Sequence, residues 1–320
     1  MELPFALRQA VDRALEGVGL SELTRAADAL SRRYRAELRD GRFHLSDDMA
    51  ARAYLATRLP ATYAAIRAAF AAVAAAQEDF APATLLDVGA GPGSALWAAA
   101  DCWPGLADAV LIEGSPAIRA WGERLSAQAA PARIEWQAGD VAAGLPDLAP
   151  RDLVTLAYVL GELAPETRDR LVDRLWTLTA GVLVIVEPGT PAGWTRILAA
   201  RERLIAAGAR LLAPCPHRAA CPLSPPDWCH FARRVARSRL HRQAKGAEVP
   251  WEDEKYVYIA AARRAGRPAE ARVIAPPRMG SGRIGLKLCQ RDGTAAERLL
   301  TRRDGAAFKT ARRLGWGDAL

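Results

Sequence analysis

The run Leu85-Leu86-Asp87-Val88-Gly89-Ala90-Gly91-Pro92-Gly93 constrains the fold more than any other part of this sequence. The apolar stretch from Thr84 to Val88 reads as a buried β-strand closed by a turn signal. Three glycines at alternate positions permit a sharp turn and let a ligand approach bare backbone. A helix-forming run begins at Ser94, so its free N–H groups face whatever occupies the turn. A second apolar run, Ala109-Val110-Leu111-Ile112, ends in Glu113, 22 positions after Gly91. An acid roughly 20 residues beyond such a turn is placed to bind the two ribose hydroxyls of a nucleotide-like ligand. Ile134-Glu135-Trp136 then leads to Gly139-Asp140, another acid at a strand end.

The pattern D-x-G-x-G-x-G, a strand-end Glu and a later G-D resembles the class I S-adenosylmethionine-dependent methyltransferases. The resemblance implies an α/β, Rossmann-like doubly wound sheet that binds this methyl donor. It puts Gly89, Gly91 and Gly93 around the methionine part, Glu113 on the ribose and Asp140 near the adenine, and counts Asp87 among the donor-binding residues. A nicotinamide dinucleotide site is the nearest competitor, but it wants G-x-G-x-x-G, and here the third glycine comes one residue early.

At 320 residues the chain is long enough for one large domain or two modest ones. Its net charge of +8 is unevenly distributed. Residues 1–195 carry 18 Lys and Arg against 25 Asp and Glu, whereas residues 196–320 carry 26 against 11. A basic half of this kind offers a face to a polyanion. The start, Met1-Glu2-Leu3-Pro4, lacks the basic and apolar regions of a signal peptide, and Glu2, Asp12 and Glu16 argue against a transit peptide. The most apolar run, Ala61 to Ala76, holds Arg67 and reads as too short for a bilayer. These features predict a soluble, cytoplasmic protein with no membrane partner.

Four regions are predicted along the chain. Residues 1–80 form an N-terminal helical region, from the three- and four-residue spacing of Leu3, Leu7, Val11, Leu15 and Val18, that packs on the sheet as a cap or serves as a substrate lid. Residues 81–190 alternate strand and helix and form the donor-binding core. Its later strands bring Tyr158, Glu162 and Glu187 to the carboxyl ends, where a methyl acceptor would lie. Residues 191–250 are a Cys-rich insertion, too rich in proline for continuous helix, followed by a basic helix with Arg233, Arg234, Arg237, Arg239 and Arg242. In residues 251–320, Tyr256–Ile259, 271–275 and 284–289 are predicted as antiparallel strands that complete the sheet, ahead of a basic, helical tail.

Cys215, Cys221 and Cys229 crowd together, Cys289 comes later on a predicted strand, and Cys102 stands apart. An odd count in a large cytoplasmic chain argues against a disulfide framework. The C-x5-C-x7-C spacing is unlike most zinc modules, whose first ligands are two to four residues apart. Iron–sulfur clusters take four thiolates at more varied spacings, often beside proline. Spacing leaves open both a cluster and a zinc site in which His217 or His230 takes part.

The string C-P-H-x4-C-P-L, followed by D-W-C-H-F and, later, L-C-x-x-D-G at 288–293, resembles one family closely. It is similar to the methyltransferase-like proteins of the mitochondrial small ribosomal subunit and their bacterial relatives. That resemblance runs from about residue 40 through the tail. It implies a [4Fe–4S] cluster on Cys215, Cys221, Cys229 and Cys289, and association with the small ribosomal subunit through ribosomal RNA rather than DNA. Off the ribosome the chain is expected to be monomeric; for eukaryotic relatives the equivalent location would be the mitochondrial matrix. Two acceptor signatures are missing: the N/D-P-P-Y of amino-group methyltransferases and a cysteine after the fourth or fifth strand. Catalytic residues are therefore unassigned, and the resemblance carries two readings, a ribosomal RNA methyltransferase and a non-catalytic assembly factor.

Overall fold

The structure is a computed structural model that describes residues 1–38, 40–267 and 269–320. Four helices come first: α1 (Phe5–Leu15), α2 (Leu20–Arg35), α3 (Asp48–Thr57) and α4 (Leu59–Ala76). Leu7, Val11 and Leu15 of α1 and Leu23, Ala27 and Leu30 of α2 are buried, as their spacing dictates. Asp47 caps α3 by accepting from the Ala50 N–H at 2.8 Å, and Pro60 sits in the first turn of α4, where no N–H is missed. By length and composition alone α4 could cross a membrane, contrary to the sequence expectation. Instead its Tyr63, Ile66, Phe70 and Val73 are buried in the core.

The alternating region gives β1 (Thr84–Val88), α5 (Ser94–Cys102), β2 (Asp108–Glu113), α6 (Pro116–Ser126), β3 (Arg133–Ala138) and β4 (Arg151–Ala157). α7 (Pro165–Thr177), β5 (Thr179–Pro188) and α8 (Pro191–Ala206) follow. Next come β6 (Arg210–Ala213), β7 (Phe231–Ala236), α9 (Arg239–Ala244) and β8 (Trp251–Ala262). The main sheet runs β3-β2-β1-β4-β5-β8-β6, with β7 also on β8. β1 to β5 are parallel and β8 is antiparallel to β5. This is a Rossmann-like, doubly wound α/β sheet with antiparallel strands at one edge. The order reverses between β1 and β4, and a ligand crevice opens beyond the strand ends at such a switch point. β1 and β5 are apolar almost throughout because both faces of the sheet are covered.

Two predictions fail here. Arg233 and Arg234 lie on strand β7, not on a basic helix, and helix is confined to α9. β8 is 12 residues long and β6 covers only Ala260 to Ala262 of its edge away from β5, so the first half of that edge is free and β7 fills it, from Phe231 opposite Tyr256 to Ala236 opposite Trp251. The tertiary partner outweighs the local helical spacing. Nor do the strands at 271–275 and 284–289 complete the main sheet. β9 (Ala271–Val273), β10 (Arg278–Gly280), β11 (Arg283–Gln290) and β12 (Ala295–Thr301) form a second sheet, with α10 (Gly305–Ala311) against it. β6 and β7 already occupy the edge of β8 that faces away from β5, and β9, β10 and β12 pair with β11 instead. The second sheet has its own core of Val273, Ile284, Leu286, Leu288, Leu300 and Phe308.

Candidate functional site

A cleft of about 360 Å³ opens at the carboxyl ends of β1, β2 and β4. Gly89, Gly91, Glu113 and Asp140 line it, as do Tyr158, Glu162 and Glu187. Asp87 and Gly93 stand behind the turn and do not line it. Gly89 and Gly91 both have positive φ, +67° and +56°. A Cβ on Gly91 would meet nothing within 4 Å and would project into the open cleft, whereas one on Gly89 would lie 2.4 Å from Cγ2 of Val159.

Glu113 ties the turn together. Its carboxylate accepts from the Gly91 N–H and from the Ser115 N–H, each at 2.8 Å. Burial nonetheless pushes its carboxyl above the ordinary range. Its remaining lone pairs are available to ribose hydroxyls. Behind it Asp87 is 2% exposed; Oδ1 accepts from the Thr155 hydroxyl at 2.6 Å, and Oδ2 has no partner. Burial holds the Asp87 carboxyl up at about 7. Asp140, at the rim, accepts from the Ala142 N–H at 2.9 Å.

The opposite wall is carboxylate-rich. Glu187, 1% exposed, accepts from the Leu160 N–H at 3.0 Å and from Nε of Arg196 at 2.6 Å, and Arg196 continues to Glu37 at 3.0 Å. Glu162, whose side chain is 39% exposed to the cleft, is raised to about 8 by burial and by the charges of Glu113 and Glu187. Its Oε1 lies 3.7 Å from Nε2 of His44. Nδ1 of His44 accepts from Nε of Arg33 at 3.2 Å, which puts the proton of the neutral ring on Nε2. Tyr158 has φ +61°, uncommon for a non-glycine residue, and is held there by its N–H on the Val186 carbonyl (2.8 Å) and its hydroxyl on Glu254 (3.0 Å).

Nothing in the residue pattern of the N-terminal helices signals that they close this cleft. Tyr34, Phe43, His44, Tyr54 and Arg58 all line it. The ring of Phe43 lies over Gly114, where a Cβ would come within 2.8 Å of it. Arg58 is bound to Glu254 at 3.1 and 3.3 Å, so its charge is spent inside the protein.

A second, small cavity of about 30 Å³ lies under α8. Cys215, Cys221 and Cys229, from the irregular chain after β6, line it together with Cys289 from β11. All are free thiols, and Cys102 is elsewhere. Sγ of Cys289 lies 3.3 Å from Nε2 of His217. Burial and the neighbouring thiols push Cys229 well above the usual thiol range and Cys289 to about 12. His230 is not at this cavity; its ring stacks on Trp228. Among the described residues no group of His, Cys, Asp and Glu stands close enough, as placed, to hold a metal ion. Two arginines also line the cavity, Arg201 of α8 and Arg272 of β9. Neither could be singled out in a sequence with so many arginines.

Among solved structures, the plantazolicin methyltransferase BpumL with bound SAH is 14% identical, with a TM-score of 0.43 over 77% of this chain and 98% of that one. The magnesium protoporphyrin IX methyltransferase ChlM of Synechocystis PCC 6803 is 15% identical, with a TM-score of 0.42 over 76% of this chain and 100% of that one. Among curated proteins, the human "Ribosome assembly protein METTL17, mitochondrial" is 31% identical over 288 residues. The match takes in 83% of this chain and 61% of the human protein's length. The profile of one family, "Mitochondrial small ribosomal subunit Rsm22", matches residues 48–320. The chain belongs to the Rsm22 family.

Proposed function

We propose that this protein serves assembly of the small ribosomal subunit, binding S-adenosylmethionine in the cleft and a [4Fe–4S] cluster on Cys215, Cys221, Cys229 and Cys289. It acts on ribosomal RNA, or helps it assemble, in the cytoplasm of its cell. The observation that carries the reading is the convergence of four cysteines, three from one loop and one from a distant strand, on a single buried cavity. Membership of a family described by the small ribosomal subunit, and the name of the human assembly protein, support the ribosomal part. The surplus of positive charge in residues 196–320 supports an RNA partner, since phosphate contacts supply most sequence-independent affinity.

The cleft suits a cationic nucleoside donor. Gly91 leaves open space for it, Glu113 would accept from its ribose hydroxyls, and Glu162 and Glu187 line the same cleft. The donor supplies an electrophilic methyl, whose transfer depends on alignment more than on proton movement. Glu162 and His44 stand on the acceptor side, where the raised carboxyl can hold a proton at neutral pH. The thiolates would hold iron, with His217 beside Cys289 and Trp228 bonded to the Gly189 carbonyl at 3.0 Å, next to the cleft.

The test is sedimentation of the purified chain with separated ribosomal subunits, with and without S-adenosylmethionine. The protein is expected to travel with small subunits and not with large ones. Equal partition between the two, or none with either, overturns the reading.

A further inference from the structure

Two arginines are buried against the cysteine cavity, and among the described residues no carboxylate answers their charge. Arg201 is 2% exposed and Arg272 is 5% exposed. Arg201 donates one nitrogen to the carbonyls of His217 and Ala219, at 3.0 and 2.7 Å, and its Nε has no partner. Arg272 donates to the carbonyls of Pro214 at 2.9 Å and Gly317 at 3.0 Å. Among the described residues neither forms an ion pair, although the arginines of the cleft, Arg58 and Arg196, both do. Backbone carbonyls satisfy hydrogen-bonding groups but do not neutralise a guanidinium, and burying a charge without a counter-charge is strongly unfavourable.

We propose that Arg201 and Arg272 are the built-in counter-charge for an anionic, thiolate-ligated group in this cavity, and that they set how readily that group accepts an electron. The inference rests on the reading of the cavity as an iron–sulfur site. Four thiolates around such a cluster leave it negatively charged, and one-electron reduction, in which no bond is made or broken, makes it more so. A buried cation alongside stabilises the reduced form more than the oxidised form and so raises the potential. Arginine suits the place because its guanidinium stays charged even when buried, whereas lysine gives up its proton more readily.

The experiment uses the full chain purified without oxygen, as wild type, Arg201→Met, Arg201→Lys and Arg272→Met. Iron and acid-labile sulfide are measured first. Each protein is then titrated with dithionite against redox dyes, followed by electron paramagnetic resonance. At a fixed poise the Met variants are expected to show at least a tenfold lower ratio of reduced to oxidised cluster, about 59 mV for one electron. Arg201→Lys, whose amine gives up its proton more readily when buried, should fall between wild type and Arg201→Met. If Arg201 only holds the loop through its two carbonyl bonds, Lys and Met variants will lose iron alike and keep the wild-type potential, which overturns the proposal. Arg272→Met, on β9 rather than α8, gives the same test should Arg201→Met fail to fold. Iron-free wild type would overturn the cluster reading itself, and would be seen before any variant is made.

Discussion

Substituting the first two glycines of the turn should give opposite results on stability and on donor binding. A side chain at either must sit in the left-handed region, which costs an L-residue about 1–2 kcal/mol. At Gly91 that is the whole structural cost, because a Cβ meets nothing within 4 Å. At Gly89 the Cβ falls 2.4 Å from Cγ2 of Val159, in a packed wall, and overpacking of this kind adds about 1–3 kcal/mol. Gly89→Ala should therefore lose about 2–5 kcal/mol and Gly91→Ala about 1–2 kcal/mol, read by urea unfolding of the two proteins. Donor binding should rank the other way. Gly91→Arg fills the cleft from its open side and should abolish the calorimetric titration with S-adenosylmethionine while leaving the unfolding midpoint near that of Gly91→Ala. Equal losses at the two glycines would refute the packing argument. Unchanged donor affinity in Gly91→Arg would refute the placement of the donor.

Three other perturbations test other parts of the molecule. Asp87 has a folded-state pKa of about 7, above its unfolded value of 3.8, so its contribution is present below pH 4 and is lost as pH rises through 7. Asp87→Asn should therefore gain on wild type between pH 5 and pH 8 by about 3 kcal/mol, at 1.36 kcal/mol for each of the two units from pH 5 to pH 7; parallel unfolding curves at the two pH values would contradict this. Cys221→Ser should lose its iron and loosen residues 210–290, read by metal analysis and hydrogen exchange, whereas full iron content would remove Cys221 from the ligand set. Replacing Arg302, Arg303, Arg312 and Arg313 with Gln removes exposed charges that form no ion pair among the described residues. The slope of log affinity for an RNA hairpin against log salt should fall by about one for each phosphate that the variant no longer neutralises, and an unaltered slope would move the RNA surface elsewhere.

What was legible in the sequence was local chemistry. Leu85 to Val88 and Val182 to Val186 announce buried parallel strands because each is apolar on both faces. The glycine turn and Glu113 were legible because backbone geometry at a switch point narrows the choice of residue. The four cysteines were legible because thiols are few in this chain. Relations between distant segments were not. Arg233 and Arg234 open a run of arginines that reads as a basic helix, and only the first half of β8, left open by β6, makes Phe231 to Ala236 a strand. The second sheet could not be separated from the first, because strand patterning says nothing about which edge a strand will meet. Tyr34, Phe43 and His44 reach the cleft by the packing of helices that read only as amphipathic. Arg201 and Arg272 look like any other arginine until their burial is known.

The most direct test of the central claim is an anaerobic purification with a visible spectrum and analysis for iron, sulfide and zinc. The account predicts a brown protein with about four iron and four acid-labile sulfide per chain, lost when Cys215, Cys221, Cys229 or Cys289 is replaced. A colourless protein that holds a single zinc, or no metal, would contradict it and leave the cysteine cavity as a structural clip between the Rossmann-like core and the second sheet.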